Sequence, residues 1–208
     1  VYKRQQVYLS EGKLAALSQM ATMTQRNLRV ALAQEFQIVA GLRHPHIISV
    51  LDYGFDPDRQ PYFTMNYLPD AQTFIDAGMG LDTTGKLDLL RQLLQALAYL
   101  HRRGVVHRDI KPSNILVAEG RVQVVDFGLS IGQGTIRTSS GGTILYMAPE
   151  LLEEQAASPA SDLYAVGIMA YDLFAGRYPF NLTLTPDAFM AQVKNTPADI
   201  TTLKLEPS

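Results

Sequence analysis

The stretch VVHRDIKPSNILVAEGRVQVVDFG sets Asp109, Asn114 and Asp126 among the apolar runs Val105-Val106, Ile115-Leu116-Val117 and Val122 to Val125, which read as buried strands. Burying two carboxylates and an amide without partners costs roughly several kcal/mol each. Their oxygens are hard ligands and proton acceptors, so the expected compensation is a cation together with a reactant.

Elements on both sides must hold that trio. VYKRQQVYL has the β-branched and aromatic content of a strand, residues 10 to 25 carry no period, and from Asn27 the positions Leu28, Leu32, Phe36, Val39 and Leu42 predict an amphipathic helix ending near Gly41. HPHIISVLDYGF predicts a turn and strand, and PDRQ a tight turn before a second strand, PYFTMNYL. After Pro69 the texture becomes helical. Thr83 or Thr84 is the expected cap of a long helix with Leu87, Leu90, Leu94, Leu97 and Leu100 on one face, closed by Arg102, Arg103 and Gly104. Further helices are expected from about Ser161 to Ala175 and near 187 to 194, beyond a Gly/Ser/Thr-rich segment from Gly132 to Thr143. Strands and one helix come first and helices follow, which predicts an α+β fold of two lobes joined near Leu68-Pro69.

Composition narrows the function classes. At 208 residues, 47% hydrophobic and 18% charged, the chain can form one large domain or two small lobes. A formal charge of −2 gives nucleic acid no electrostatic argument. The absence of cysteine excludes disulfides and thiolate metal sites and fits a cytoplasmic, reducing setting. LYAVGIMAY, the longest apolar stretch, stops at Asp172, too short for the roughly 20 residues of a membrane span. His44 and His46 flank Pro45 in a turn with no further metal ligand close in sequence. The start at Val1 and the tail ADITTLKLEPS both read as cut edges.

HRDIKPSN, DFG, APE at 148 to 150 and DLYAVG at 162 to 167, in this order, resemble a eukaryotic-type protein kinase, and LRHPHIISVLDYGF and SDLYAVGIMAYDLFAGRYPF resemble its bacterial serine/threonine members. The resemblance implies residues 1–68 as a partial small lobe and 69–208 as a partial larger, helical lobe. It implies ATP and Mg²⁺ as cofactors and transfer of the γ-phosphate to protein serine or threonine hydroxyls. In that frame Asp109 orients the hydroxyl and takes its proton, Lys111 sits beside the transferred group, and Asn114 and Asp126 hold Mg²⁺. Lys3 resembles the phosphate-contacting lysine and Glu35 its helix partner, with Lys13 a rival for Lys3. Met65 falls at the gatekeeper position, and the backbone of Asn66 to Leu68 would bind adenine, Asn66 replacing the more usual acidic residue. Arg108 resembles the arginine that holds a phosphorylated activation segment, here with Thr135, Thr138, Ser139 and Ser140 as acceptors. Thr143 would shape the substrate groove. Val39, Val50, His107 and Phe127 resemble an apolar column between the lobes, and Asp162 a brace of the catalytic loop.

The implied partners are protein substrates, with dimerisation for autophosphorylation, and no nucleic acid or membrane span. Two alternatives stay open: a pseudokinase scaffold, which would have lost one of Lys3, Asp109, Asn114 and Asp126, and a small-molecule phosphotransferase, which has no use for APE. No Gly-rich loop precedes Lys3, so the chain resembles the middle of a catalytic domain and little activity is expected of it alone.

Overall fold

The computed structural model describes residues 4–8, 39–57, 61–126 and 144–195. β1 (Arg4–Tyr8), β2 (Val50–Phe55) and β3 (Pro61–Asn66) form an antiparallel sheet in the order β1-β3-β2. Met65, on the central strand, faces Gln5 on one side and Val50 on the other, and the register shifts between Val50 and Asp52. A second sheet, β4 (Gln72–Thr73), β5 (Ile115–Ala118) and β6 (Arg121–Val124), has the order β4-β5-β6. Glu119 and Gly120 join β5 to β6 with φ of 52° and 71°. A two-residue loop with both residues left-handed matches the twist of its strands, and glycine bears this at no steric cost.

Ile115-Leu116-Val117 and Val122 to Val124 are thus strands as expected, whereas Val105-Val106 is irregular and half-buried, and begins the loop that carries Asp109. Of the helix expected from Asn27, only Val39 and Ala40 fall within the described residues, and both are helical before Gly41.

α1 (Phe74–Met79) is capped by Thr73, whose side chain accepts from the Asp76 N–H. α2 (Thr83–His101) is capped by Asp82 rather than by Thr83 or Thr84: its carboxylate accepts from Gly85 N at 2.8 Å. Asp82 has the extended backbone a cap requires, and the threonines are already helical. The leucine face also differs from expectation. Leu97 and Leu100 are fully buried, but Leu87 and Leu94 are 54% and 42% exposed, because the core lies on the side of Leu89, Leu93, Ala96 and Leu100.

α3 (Pro149–Leu152) follows, then α4 (Pro159–Ala175), which Ser158 and Ser161 start with a reciprocal capping box and left-handed Gly176 ends, and α5 (Pro186–Asn195). The main core joins Val39, Leu42, Ile47, Ile48 and Val50 to Phe74, Leu93, Leu97, Ile115, Val124 and Met169. Truncating any one of its fully buried leucines to alanine would cost about 2–5 kcal/mol. Ile48 N donates to Val124 O at 3.0 Å and Val124 N to His46 O at 2.9 Å, so the segment after Gly41 is tied to the β5–β6 hairpin. Among the described residues no helix is long and apolar enough to cross a membrane.

Candidate active site

The loop from Val105 to Lys111 has little secondary structure of its own, so its backbone needs partners from outside. α4 supplies them. Asp162, 2% exposed, accepts from His107 N through Oδ2 and from Arg108 N through Oδ1, both at 2.9 Å, and its Oδ2 lies 2.8 Å from His101 Nε2 at the end of α2. One carboxylate thus joins two helices and fixes the turn in which Arg108 adopts a φ of 70°. This is the bracing the sequence suggested.

His107 is 1% exposed and bonded at both ring nitrogens: Nε2 donates to Val125 O at 3.1 Å and Nδ1 accepts from Asp109 N at 3.4 Å. That pattern is one neutral tautomer, and burial holds its pKa below the ordinary 6.5. The ring is a structural spacer between the loop and the strand end.

Asp109 follows. Its Oδ2 lies 3.0 Å from Lys111 Nζ and accepts from Asn114 Nδ2 at 2.9 Å, and the same amide donates to Asp109 O at 2.8 Å. Its Oδ1 is buried with no partner among the described residues. A buried acceptor left unmatched costs about 1–3 kcal/mol, which fits an atom reserved for a reactant's proton. Pro112 starts the 3-10 turn that ends at Asn114, 5% exposed, and Val125 N donates to Asn114 O at 2.9 Å. That bond extends the β5–β6 ladder by one step and ties the residue before Asp126 to Asn114. Asp126 has a φ of 54°, a left-handed conformation that costs a non-glycine residue energy and is met where function demands it.

The fit to a divalent cation rests on this donor set. With the Asn114 amide nitrogen committed to Asp109, its Oδ1, which accepts only a long 3.5 Å bond from Ser113 Oγ, is a hard oxygen of the type magnesium takes, as is the carboxylate of Asp126. Leu68, half-buried after β3, makes no main-chain hydrogen bond among the described residues, while Asn66 N donates to Ser49 O at 3.3 Å. Of the Asn66 to Leu68 backbone, the Asn66 N–H is therefore already engaged. On the other side of Asp109, the 3-10 turn Ile144–Tyr146 is held by Tyr178, whose hydroxyl donates to Leu145 O. Tyr164 lies nearby with a buried, unpartnered hydroxyl whose pKa is pushed up to about 12 by burial and by Glu150.

Lys3, Lys13, Glu35, Phe127, Thr135, Thr138, Ser139, Ser140 and Thr143 lie outside the described residues. The described residues bring Asp109, Lys111 and Asn114 into contact, with Arg108 adjoining Asp109 in the chain and Asp126 following Val125, whose N–H donates to Asn114 O. His44 and His46 stack edge-on at 5.4 Å, and no group of three metal-ligating side chains exists among the described residues. Sequence reasoning missed Gln92, a buried side chain whose Oε1 accepts from Val122 N and whose Nε2 donates to Gly120 O and Asp88, pinning the hairpin to α2. A polar residue inside the apolar face of α2 was the available signal.

The chain matches the protein kinase domain over residues 4–206, and so it belongs to the protein kinase family. It is 35% identical over 193 residues to serine/threonine-protein kinase 36 of Pongo abelii, covering 88% of this chain and 14% of that protein. It is 37% identical over 155 residues to the probable serine/threonine-protein kinase pknA2 of Bifidobacterium longum, covering 71% and 20%. The crystal structure of Rad53 in complex with AMP-PNP matches with a TM-score of 0.67 at 25% identity, covering 81% of this chain and 44% of that one. The chain spans less than half the length of each of these proteins. Its α+β architecture, a small sheet followed by helices, is the protein-kinase fold.

Proposed function

We propose that the chain is catalytic sequence of a serine/threonine protein kinase that transfers the γ-phosphate of ATP to protein hydroxyls. The single observation that carries this reading is the state of Asp109: one carboxylate oxygen is held by Lys111 and Asn114, and the other is buried without a partner among the described residues. Oδ1 takes the proton of the serine or threonine hydroxyl as that oxygen attacks phosphorus. Lys111 neutralises charge on the transferring group. Asn114 and Asp126 hold Mg²⁺, which when bound offsets the charge of the triphosphate. Lys3, paired with Glu35, contacts the phosphates, and the Leu68 backbone, next to the gatekeeper Met65, binds adenine.

The names of the relatives and the nucleotide bound to Rad53 support this assignment. The division into a small lobe, 1–68, and a larger one, 69–208, belongs to the same reading, as do cytoplasmic bacterial signalling and autophosphorylation in a dimer. In it Arg108 holds a phosphate on Thr135, Thr138, Ser139 or Ser140, and Thr143 borders the substrate groove.

Asp109→Asn is the test. It keeps shape and hydrogen bonding but removes the base, and transfer from radiolabelled ATP should fall by about 10²–10⁴-fold while nucleotide affinity stays within about twofold. Unchanged turnover would remove Asp109 from the reaction.

A further inference from the structure

We propose that Arg43, Arg102 and Arg103, exposed on the loop and the helix end that meet at Tyr99, form a binding site for a phosphorylated serine or threonine segment of a protein, separate from the Asp109 cluster. The site does not rest on the catalytic reading, since it requires neither ATP nor transfer.

Tyr99, near the end of α2, organises it. Its hydroxyl accepts from Arg43 N at 2.7 Å, the guanidinium of Arg103 lies 3.9 Å from its ring centre, and the His44 ring lies 5.0 Å from it. Arg102 is close enough to His44 for its charge, after burial and the neighbouring His46, to depress that imidazole's pKa. All three arginines are exposed.

Two of them are held before any ligand arrives. Arg43 Nη1 donates to Ala40 O at 2.6 Å and to Leu42 O at 2.8 Å, leaving its other donors for a partner, and the Arg103 guanidinium is held over the Tyr99 ring. Preorganised guanidiniums lose less side-chain entropy on binding. Among the described residues none of the three is paired with a carboxylate. Asp88, the acidic group that faces His46, is already bonded to Arg91 and Gln92. The last carbonyls of α2 are likewise engaged: Arg102 N, Arg103 N and Gly104 N close on Ala98 O, Leu100 O and His101 O.

The chemistry of the partner follows from size and charge. The cluster counts three arginines on one loop and one helix end, whereas a polyanion such as nucleic acid calls for a basic stripe along its backbone, and this chain has more acidic than basic residues, 20 against 18. A phosphomonoester concentrates close to two negative charges on three acceptor oxygens, which matches forked donors converging from separate residues.

Fluorescence anisotropy with the 208-residue chain tests this, using a labelled five-residue peptide centred on phosphothreonine, its unphosphorylated form and a glutamate-centred form. The phosphopeptide should bind and the unphosphorylated peptide should not. Arg102→Glu, which alters an exposed side chain with no hydrogen bond of its own, should weaken binding by at least about tenfold with the melting temperature unchanged. Arg103→Ala should act in the same direction. Bound phosphopeptide should raise the pKa of His44 in an NMR titration, since an added anion offsets the field of His46 and Arg102. Equal binding of the glutamate peptide, equal affinity for inorganic phosphate, tighter binding of an oligonucleotide or an anionic vesicle, or no effect of Arg102→Glu would each overturn the proposal.

Discussion

Two carboxylates at opposite sides of one loop are treated differently by this fold. Asp162, on α4, spends both oxygens on backbone N–H groups of the loop and on His101, and it is buried to 2%. Asp109, on the loop itself, spends one oxygen on Lys111 and Asn114 and leaves the other unmatched. The first arrangement is complete without a ligand and the second is not. A satisfied polar group fixes position, and an unsatisfied one placed on a fixed loop is available for chemistry. The two depend on each other, since only the rigidity supplied by Asp162 keeps the orphaned oxygen of Asp109 from relaxing toward a partner.

The largest expected effect on stability breaks the satisfied side. Asp162→Ala strands the N–H groups of His107 and Arg108 and deprives His101 of its partner, and each stranded buried donor costs about 1–3 kcal/mol, so a loss of about 2–5 kcal/mol is expected. In this size range about 2–4 °C of melting temperature accompanies each kcal/mol. Asp109→Asn should change the melting temperature far less, because it keeps the acceptor used by Asn114 and exchanges one buried unmatched polar group for another. Calorimetry on both variants checks the contrast. A destabilised Asp109→Asn beside a stable Asp162→Ala would reverse the assignment of roles.

The next effect concerns His107, which lies between the two. Burial holds its folded pKa below the unfolded value near 6.5. The unfolded chain therefore binds a proton before the folded one does. Above pH 6.5 the imidazole is neutral in both states and its contribution is flat. As pH falls from 6.5 toward the folded pKa, stability is lost, by up to about 1.4 kcal/mol per pH unit. His107→Phe keeps the packing volume and removes the proton, so the slope of unfolding free energy between about pH 6.5 and 5 should be shallower in urea titrations of this variant. An unaltered slope would assign the acid sensitivity to other groups.

How much of this was legible in the sequence depends on the kind of interaction. The spacing from Asp109 to Asn114 to Asp126 is local, fixed by one 3-10 turn and one two-residue hairpin, and the sequence carried it in full. The end of α2 was also readable from Gly104, and the expected span of α4, about Ser161 to Ala175, started two residues late because the Ser158–Ser161 capping box was not read. Leu87 and Leu94 misled, since a row of leucines at three- and four-residue spacing drifts around a helix and only contact with α4 and β6 decides which of its sides is buried. Gln92 and the arginines around Tyr99 were not legible as groups. Arg43 and Arg103 lie 60 positions apart in the chain and meet only through the tie between the segment after Gly41 and α2.

The smallest effect sharpens the comparison by loosening the support of Asp162 without touching its carboxylate. Ser158 caps α4: its side chain accepts from Ser161 N at 3.4 Å, while Ser161 Oγ donates to Ser158 O at 2.7 Å and accepts from Ser158 N at 2.8 Å. Ser158→Ala removes one arm of this box and should cost about 1 kcal/mol, within the range of about 0.5–2 for lost caps, and Ser158→Asp should restore most of it, because an aspartate accepts the same bond and its charge suits a helix N-terminus. Asp162 lies in the first turn of the helix, its own N–H directed at Ser158 O at 3.4 Å. If its hold on the loop depends on α4 being well started, hydrogen exchange at the amides of His107 and Arg108 should accelerate in Ser158→Ala by the factor that corresponds to the lost stability, about fivefold for 1 kcal/mol, and return in Ser158→Asp. Exchange at those two amides that stayed unchanged while the amides of α4 itself sped up would show that the carboxylate holds the loop independently of the cap, and the rigid side of the comparison would shrink to Asp162 and its three partners alone.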